Sequence, residues 1–210
     1  MKIKFTLFLL ITTFTTFAAY AQVFTLDDVN CRKDLDNRLY CEEAVTGTPL
    51  NGVIEEYYPN GIVQTQTSWQ NGRLSGSSRE YAETGTLIAE NVWKNGTLNG
   101  VFKEYYDTGT IKAETVYKNN LPNGLRKEYY PNGKIQTKGT FRNGKQHGII
   151  KSYYETGTLK EETTWHNGNA DGLHKEYYGN GKIKAKATLK NGKPTGKIQR
   201  YDSNGKKIGK

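Results

Sequence analysis

One glycine recurs every 24 residues. It stands at Gly52, Gly76, Gly100, Gly124, Gly148, Gly172 and Gly196, each five positions before a tyrosine. A second glycine keeps the same step at Gly61, Gly85, Gly109, Gly133, Gly157, Gly181 and Gly205. A fixed period of this length marks a repeat array, built from supersecondary units that cannot bury an apolar face alone. A propeller blade needs about 40–45 residues, so that architecture is disfavoured.

The unit reads as a β-hairpin. In the stretch opened by Gly124, "LRKEYY" is a strand, "PNG" a turn and "KIQTKGTF" the return strand, with "RNGKQHG" linking to the next unit. Proline suits the second position of a type I turn, and Gly133 the left-handed residue that closes it. Other units replace Pro-Asn by Glu-Thr or Asp-Thr and keep the glycine. This turn places Tyr129 opposite Ile135, and likewise Tyr57 opposite Val63, Tyr81 opposite Leu87, Tyr153 opposite Leu159 and Tyr177 opposite Ile183. Strict alternation then puts Trp69, Trp93, Phe141 and Trp165 on the face of those tyrosines, with Val53, Leu125, Ile149 and Leu173, and puts Glu56, Glu80, Glu128 and Glu176 on the opposite, wet face. Lys103, Lys127, Lys151 and Lys175 break that pattern unless they snorkel or a bulge intervenes. The expected fold is all-β: an elongated, twisted array of antiparallel hairpins.

Composition agrees with many small contacts rather than one large core. Hydrophobic residues make up 35% of the chain, yet there are 15 Tyr, 7 Phe and 3 Trp. The formal charge of +9 is uneven: residues 173–210 carry eleven Lys and Arg against Glu176 and Asp202 alone.

At the N-terminus, Lys2 and Lys4 precede an apolar run ending at Ala19-Tyr20-Ala21. A basic start, a short apolar core and an A-x-A site describe a cleaved secretory signal. The run is short for a membrane span and diluted by threonines, which favours cleavage over an uncleaved anchor. The expected organisation is a signal peptide over 1–21, a degenerate capping repeat over 22–51, six hairpin repeats over 52–195 and a partial repeat over 196–210. The mature chain is expected to be exported, without a transmembrane segment. In the capping repeat, Leu39 and Val45 match Val63 and Trp69 one period later. The same shift places Cys31 at Glu55 and Cys41 at Thr65, read as cross-strand partners. A Cys31–Cys41 disulfide is therefore expected, which an exported chain can form.

"EYYPNGKIQTKGTFRNGKQHG" and "EYYGNGKIKAKATLKNGKPTG" resemble MORN-type repeats, specifically the bacterial MORN variant of the YwqK-like antitoxin family. The resemblance covers residues 52 to 205. It implies a hairpin-repeat fold and either a scaffold that binds lipids or proteins, or an antitoxin that neutralises a cognate toxin. An export signal sits poorly with a cytoplasmic antitoxin, so the binding scaffold is the first reading.

No catalytic constellation stands out, and no enzyme is expected. His147, His166 and His174 lack metal-ligand spacing with Cys or carboxylates. Adjacent pairs such as Glu55-Glu56 and Glu161-Glu162 face opposite sides of a strand and cannot flank one bond. The glycines punctuate hairpins rather than opening a helix as a phosphate loop does, and no cofactor is expected. The Tyr-Tyr pairs, such as Tyr129-Tyr130 and Tyr153-Tyr154, serve packing or, alternatively, form a ladder of platforms for sugar rings. Lys182, Lys184, Lys186, Lys190, Lys193 and Lys197 are the candidate binding residues, either as a solvated cap or as a site for an anionic envelope component, a glycan or a protein. Nucleic acid is not an expected partner of an exported chain with no nucleic-acid-binding motif.

Overall fold

The computed structural model describes residues 6–10, 22–25, 29–34 and 38–209, the first two segments as backbone only. Every regular element among them is a β-strand. The chain divides into two compact units, Met1–Gly109 with Lys118–Asn120, and Thr110–Tyr117 with Leu121–Lys210.

In the first unit the strands Gly52–Tyr57, Val63–Gln70, Arg73–Tyr81 and Leu87–Lys94 pair antiparallel in sequence order. In the second, Leu121–Tyr129, Ile135–Arg142, Lys145–Tyr153, Leu159–His166, Asn169–Tyr177 and Ile183–Lys190 do the same. The expected turn is present. Gly133 N–H donates to Tyr130 O and Tyr130 N–H to Lys134 O, both at 2.8 Å, with Gly133 at φ 79°. Tyr57, Tyr81, Tyr129, Tyr153 and Tyr177 oppose Val63, Leu87, Ile135, Leu159 and Ile183 as expected.

The link to the next unit is itself a tight hairpin. Asn143 and Gly144 both have positive φ (49° and 78°), as a type I′ turn requires, and Arg142 pairs with Lys145. Successive turns are tied together: Gly144 N–H donates to Pro122 O, Gly168 to Gln146 O and Gly192 to Ala170 O, at 2.8 to 2.9 Å.

Strict alternation fails in the return strand. Glu128 opposes Thr137 while Tyr129 opposes Ile135, leaving Gln136 as an extra residue; the same shift follows Glu56, Glu80, Ser152 and Glu176. Each single-residue bulge reverses the faces of the rest of its strand. Trp69, Trp93, Phe141 and Trp165 therefore share a face with Glu56, Glu80, Glu128 and Glu176, not with the first tyrosine of each pair. This is the packed face, carrying the buried Ile54, Ala89, Ala113, Thr115, Gly139, Thr163 and Ala185. Leu125, Ile149 and Leu173, expected to pack, stand 41%, 56% and 44% exposed on the other face. The lysines that broke the pattern belong to that outer face.

Cys31 and Cys41 are direct cross-strand partners joined by a disulfide in the hairpin Val29–Lys33 and Leu39–Glu43. The analogy to Glu55 and Thr65 does not hold, because the bulge pairs Glu55 with Gln66; the small hairpin has no bulge. Val45 does not imitate Trp69 either: it is 92% exposed in a turn. Cys41 and Leu50 instead cover Ile54, with Val29 and Trp69 packed alongside, and Cys41 N–H donates to Gly72 O at 2.7 Å.

Of the expected leader, the strand Thr6–Leu10 pairs with Gln22–Thr25 and with Gly52–Tyr57. The expected cleavage site at Ala19 to Ala21 lies outside the described residues.

Candidate functional site

The six C-terminal lysines do not share one surface. Lys182 follows a turn and donates to Asn204 O at 2.9 Å. Lys184 is the bulge residue and bonds Glu176 of the packed face at 3.2 Å. Lys186 lies on the outer face, its ammonium 5.8 Å from the Tyr201 ring centre. Lys190 pairs with Asp171 at 2.8 Å beside an Asn-Gly turn. Lys193 and Lys197 are exposed further along the chain.

A more coherent array emerges from the register. On the outer face of the second unit, Lys127, Lys138, Lys151, Glu162, Lys175, Lys186 and Gln199 form one unbroken cross-strand row. Like charges directly opposite each other are destabilising, so each lysine needs relief. Lys127 reaches Glu114 at 3.3 Å, and Glu162 takes Lys175 at 2.7 Å and Lys151 at 3.6 Å. Lys138 and Lys186 lean over the rings of Tyr153 and Tyr201 at 5.5 and 5.8 Å, a cation–π arrangement. In the first unit the corresponding row is Glu55, Gln66, Arg79, Glu90 and Lys103, with balanced charge.

The row has a local rule. A Lys-x-Tyr triplet clamps a glutamate 13 residues before the lysine: Lys103 and Tyr105 on Glu90, Lys127 and Tyr129 on Glu114, Lys175 and Tyr177 on Glu162. The Lys103 and Lys175 hydrogen bonds hold Glu90 and Glu162 below the usual carboxylate range, against the opposing effect of burial. Burial first, and the glutamate second, push Tyr129 and Tyr177 up. Sequence reasoning missed this row because it counted charge along the chain and placed the lysines without the bulge. The thirteen-residue Glu to Lys-x-Tyr spacing was the signal that could have found it.

Beside the lysines run Leu125, Ile149 and Leu173, each opposite a threonine (Thr140, Thr164, Thr188). The packed face is opposite in charge: Glu128, Thr137, Ser152, Glu161, Glu176, Ala185 and Arg200 form its row. His174 sits there, bonded to Thr163 Oγ1 at 2.8 Å and 3.6 and 3.7 Å from Glu161 and Glu176. A cleft of about 640 Å³ opens beyond it, lined by His174, Lys184, Leu189, Ile198 and Arg200.

In four of the pairs the second tyrosine is structural. Tyr58, Tyr130, Tyr154 and Tyr178 donate their hydroxyls to the carbonyls of Tyr81, Tyr153, Tyr177 and Tyr201 at 2.8 to 2.9 Å. Among the described residues no three or more His, Cys, Asp or Glu side chains gather as a metal cluster, and no helix is long and apolar enough to cross a membrane.

No curated protein matches the chain. A family model for the MORN repeat variant matches residues 50–71, 98–119, 122–143, 146–167 and 170–191, together just over half of the sequence. Residues 72–97 fall between the matches, yet Arg73–Tyr81 and Leu87–Lys94 keep the same turn and bulge. With the repeat geometry and these matches together, the chain belongs to the MORN repeat variant family.

Proposed function

We propose that the chain is an exported binding protein whose outer lysine row takes an anionic partner of the cell envelope. The observation that carries this reading is the row itself: five half-buried lysines meet only one glutamate within it, flanked by exposed aliphatic side chains. Such a surface concentrates anions electrostatically while its apolar flank adds contact area. Of the six C-terminal lysines only Lys186 belongs to the row; Lys193 and Lys197 are exposed further along the chain. Export is supported by the leader-like run before Gln22 and by the pairing of the only two cysteines. A mature chain starting at Gln22 is the expected product, and intact cytoplasmic protein starting at Met1 would overturn export.

Binding is tested with vesicles of phosphatidylglycerol in phosphatidylcholine and with an anionic polysaccharide, at low and high salt. Lys138 and Lys186 rest on tyrosine rings rather than carboxylates, so Lys138→Glu with Lys186→Glu breaks no ion pair. That variant is expected to lose binding, and the wild type to lose it at high salt, since exposed charges are screened beyond about 8 Å at physiological ionic strength. Equal loss on Lys193→Glu with Lys197→Glu would assign binding to the C-terminal pole instead. Binding unchanged by either variant or by salt would remove the proposal.

A further inference from the structure

Two histidines separated by 19 positions meet on neighbouring strands. Gly148 opposes Trp165 at the end of their ladder, and His147 and His166 flank that pair on its outward side. Their ring centres stand 5.2 Å apart with the planes at 80°. Nδ1 of His147 is buried without a hydrogen-bond partner. A buried imidazole nitrogen left unpaired carries a desolvation penalty, and such groups in native proteins call for an explanation.

The neighbouring repeat shows what this position does. One period later the same pair is Asp171 and Lys190, whose charged ends meet at 2.8 Å. The register therefore brings side-chain heads into contact at this point of the hairpin. Where the next repeat places an ion pair, this one places two imidazoles. Imidazole is the common protein ligand for zinc, copper and nickel. A zinc–nitrogen bond is about 2.0–2.1 Å, so two rings on one tetrahedral ion have their centres about 5 Å apart. The ring centres stand near that separation, at 5.2 Å, so a nitrogen of each can be turned toward a shared ion. Water would complete the coordination, since no third protein ligand gathers there among the described residues.

We propose that His147 and His166 form a two-imidazole chelate for a divalent late transition-metal ion. The site is independent of the lysine row, and neither histidine takes part in an ion pair that its loss would break.

The full chain is titrated with copper(II) and zinc(II) by calorimetry, with copper also followed by electron paramagnetic resonance. One saturable equivalent is expected, with a two-nitrogen signature for copper. His147→Gln and His166→Gln should each abolish it, and His174→Gln should not, because His174 is held by Thr163 on the packed face. A second measurement needs no variant: carbethoxylation of the wild type, mapped by mass spectrometry, should be blocked by zinc at His147 and His166 and unaffected at His174. Absence of saturable binding, binding that survives both glutamine substitutions, or zinc protection that spares His147 and His166 would overturn the proposal.

Discussion

The Tyr130 hydroxyl donates to the main-chain carbonyl of Tyr153, 2.8 Å away and 23 residues further along the chain. The same bond joins Tyr154 to Tyr177 and Tyr178 to Tyr201. It ties one turn edge of the repeats together, as the Asn-Gly turns tie the other. Tyr130→Phe keeps the ring and deletes the donor. It is expected to cost about 0.5–1.5 kcal/mol, the net worth of a typical hydrogen bond, read as a lower urea midpoint at unchanged slope. A ladder of sugar platforms would predict stable protein with altered glycan affinity; unchanged stability would contradict the structural role assigned here.

Gly139 marks where a side chain has no room. Its φ is ordinary, but a Cβ there would lie 2.6 Å from Ile150 Cγ1. Equivalent positions in other repeats hold Asn91, Thr115 and Thr163, facing different neighbours. Gly139→Ala is expected to destabilise by roughly 1–3 kcal/mol through overpacking. Ile150→Ala opens a space beside it, so the double variant should be more stable than the sum of the two single losses predicts. Additive losses in a double-mutant cycle would show that the contact does not limit the packing.

The parts of this fold that were legible in the letters are those set by local backbone chemistry. Gly133 demands a left-handed turn, and the turn then dictates Tyr129 opposite Ile135. The Asn143-Gly144 pair also carried a hairpin signal, although it reads as a mere link beside a more strongly marked turn. The bulge at Gln136 left no such mark, since any residue can be the extra one. Missing it reverses the face of every downstream residue in the return strand, which is why Trp69 and Trp165 were expected beside the wrong tyrosines. The lysine row inherits the same blindness. Lys127, Lys138 and Lys151 become neighbours only once three strands are laid in register. The meeting of His147 with His166 likewise depends on pairing across a whole hairpin.

The disulfide hairpin holds the N-terminal end of the first unit. Cys41 is 1% exposed and sits against Leu50 and Ile54. Its loop spans a sequence separation of 10. Replacing both cysteines by alanine is expected to cost about 2–3 kcal/mol by the chain-entropy argument. Reduction of the wild type should shift its unfolding midpoint in the same direction, and a reductant-insensitive midpoint would refute the assignment.

Asp34 makes this end of the protein sensitive to acid. The Arg38 N–H donates to its Oδ1 at 2.9 Å, and Oδ2 accepts from Arg38 Nε at 3.1 Å and Arg73 Nη1 at 2.5 Å. Arg73 begins the strand Arg73–Tyr81, so one carboxylate joins the capping hairpin to the array. These bonds, led by that of the Arg38 backbone, outweigh desolvation and lower its pKa from 3.8 to about 2. A group whose folded pKa is depressed binds its proton more readily when unfolded. Its contribution is therefore complete above the unfolded value and is lost as pH falls from about 4 through about 2. Glu90 and Glu162, depressed by Lys103 and Lys175, act in the same direction. Asp34→Asn removes the charge while keeping the shape. Its destabilisation relative to the wild type should be greatest near neutral pH and shrink as the wild-type carboxylate protonates. Urea unfolding of both proteins across this range reads the difference directly, and a gap that stays constant down to pH about 2 would show that Asp34 does not carry the linkage.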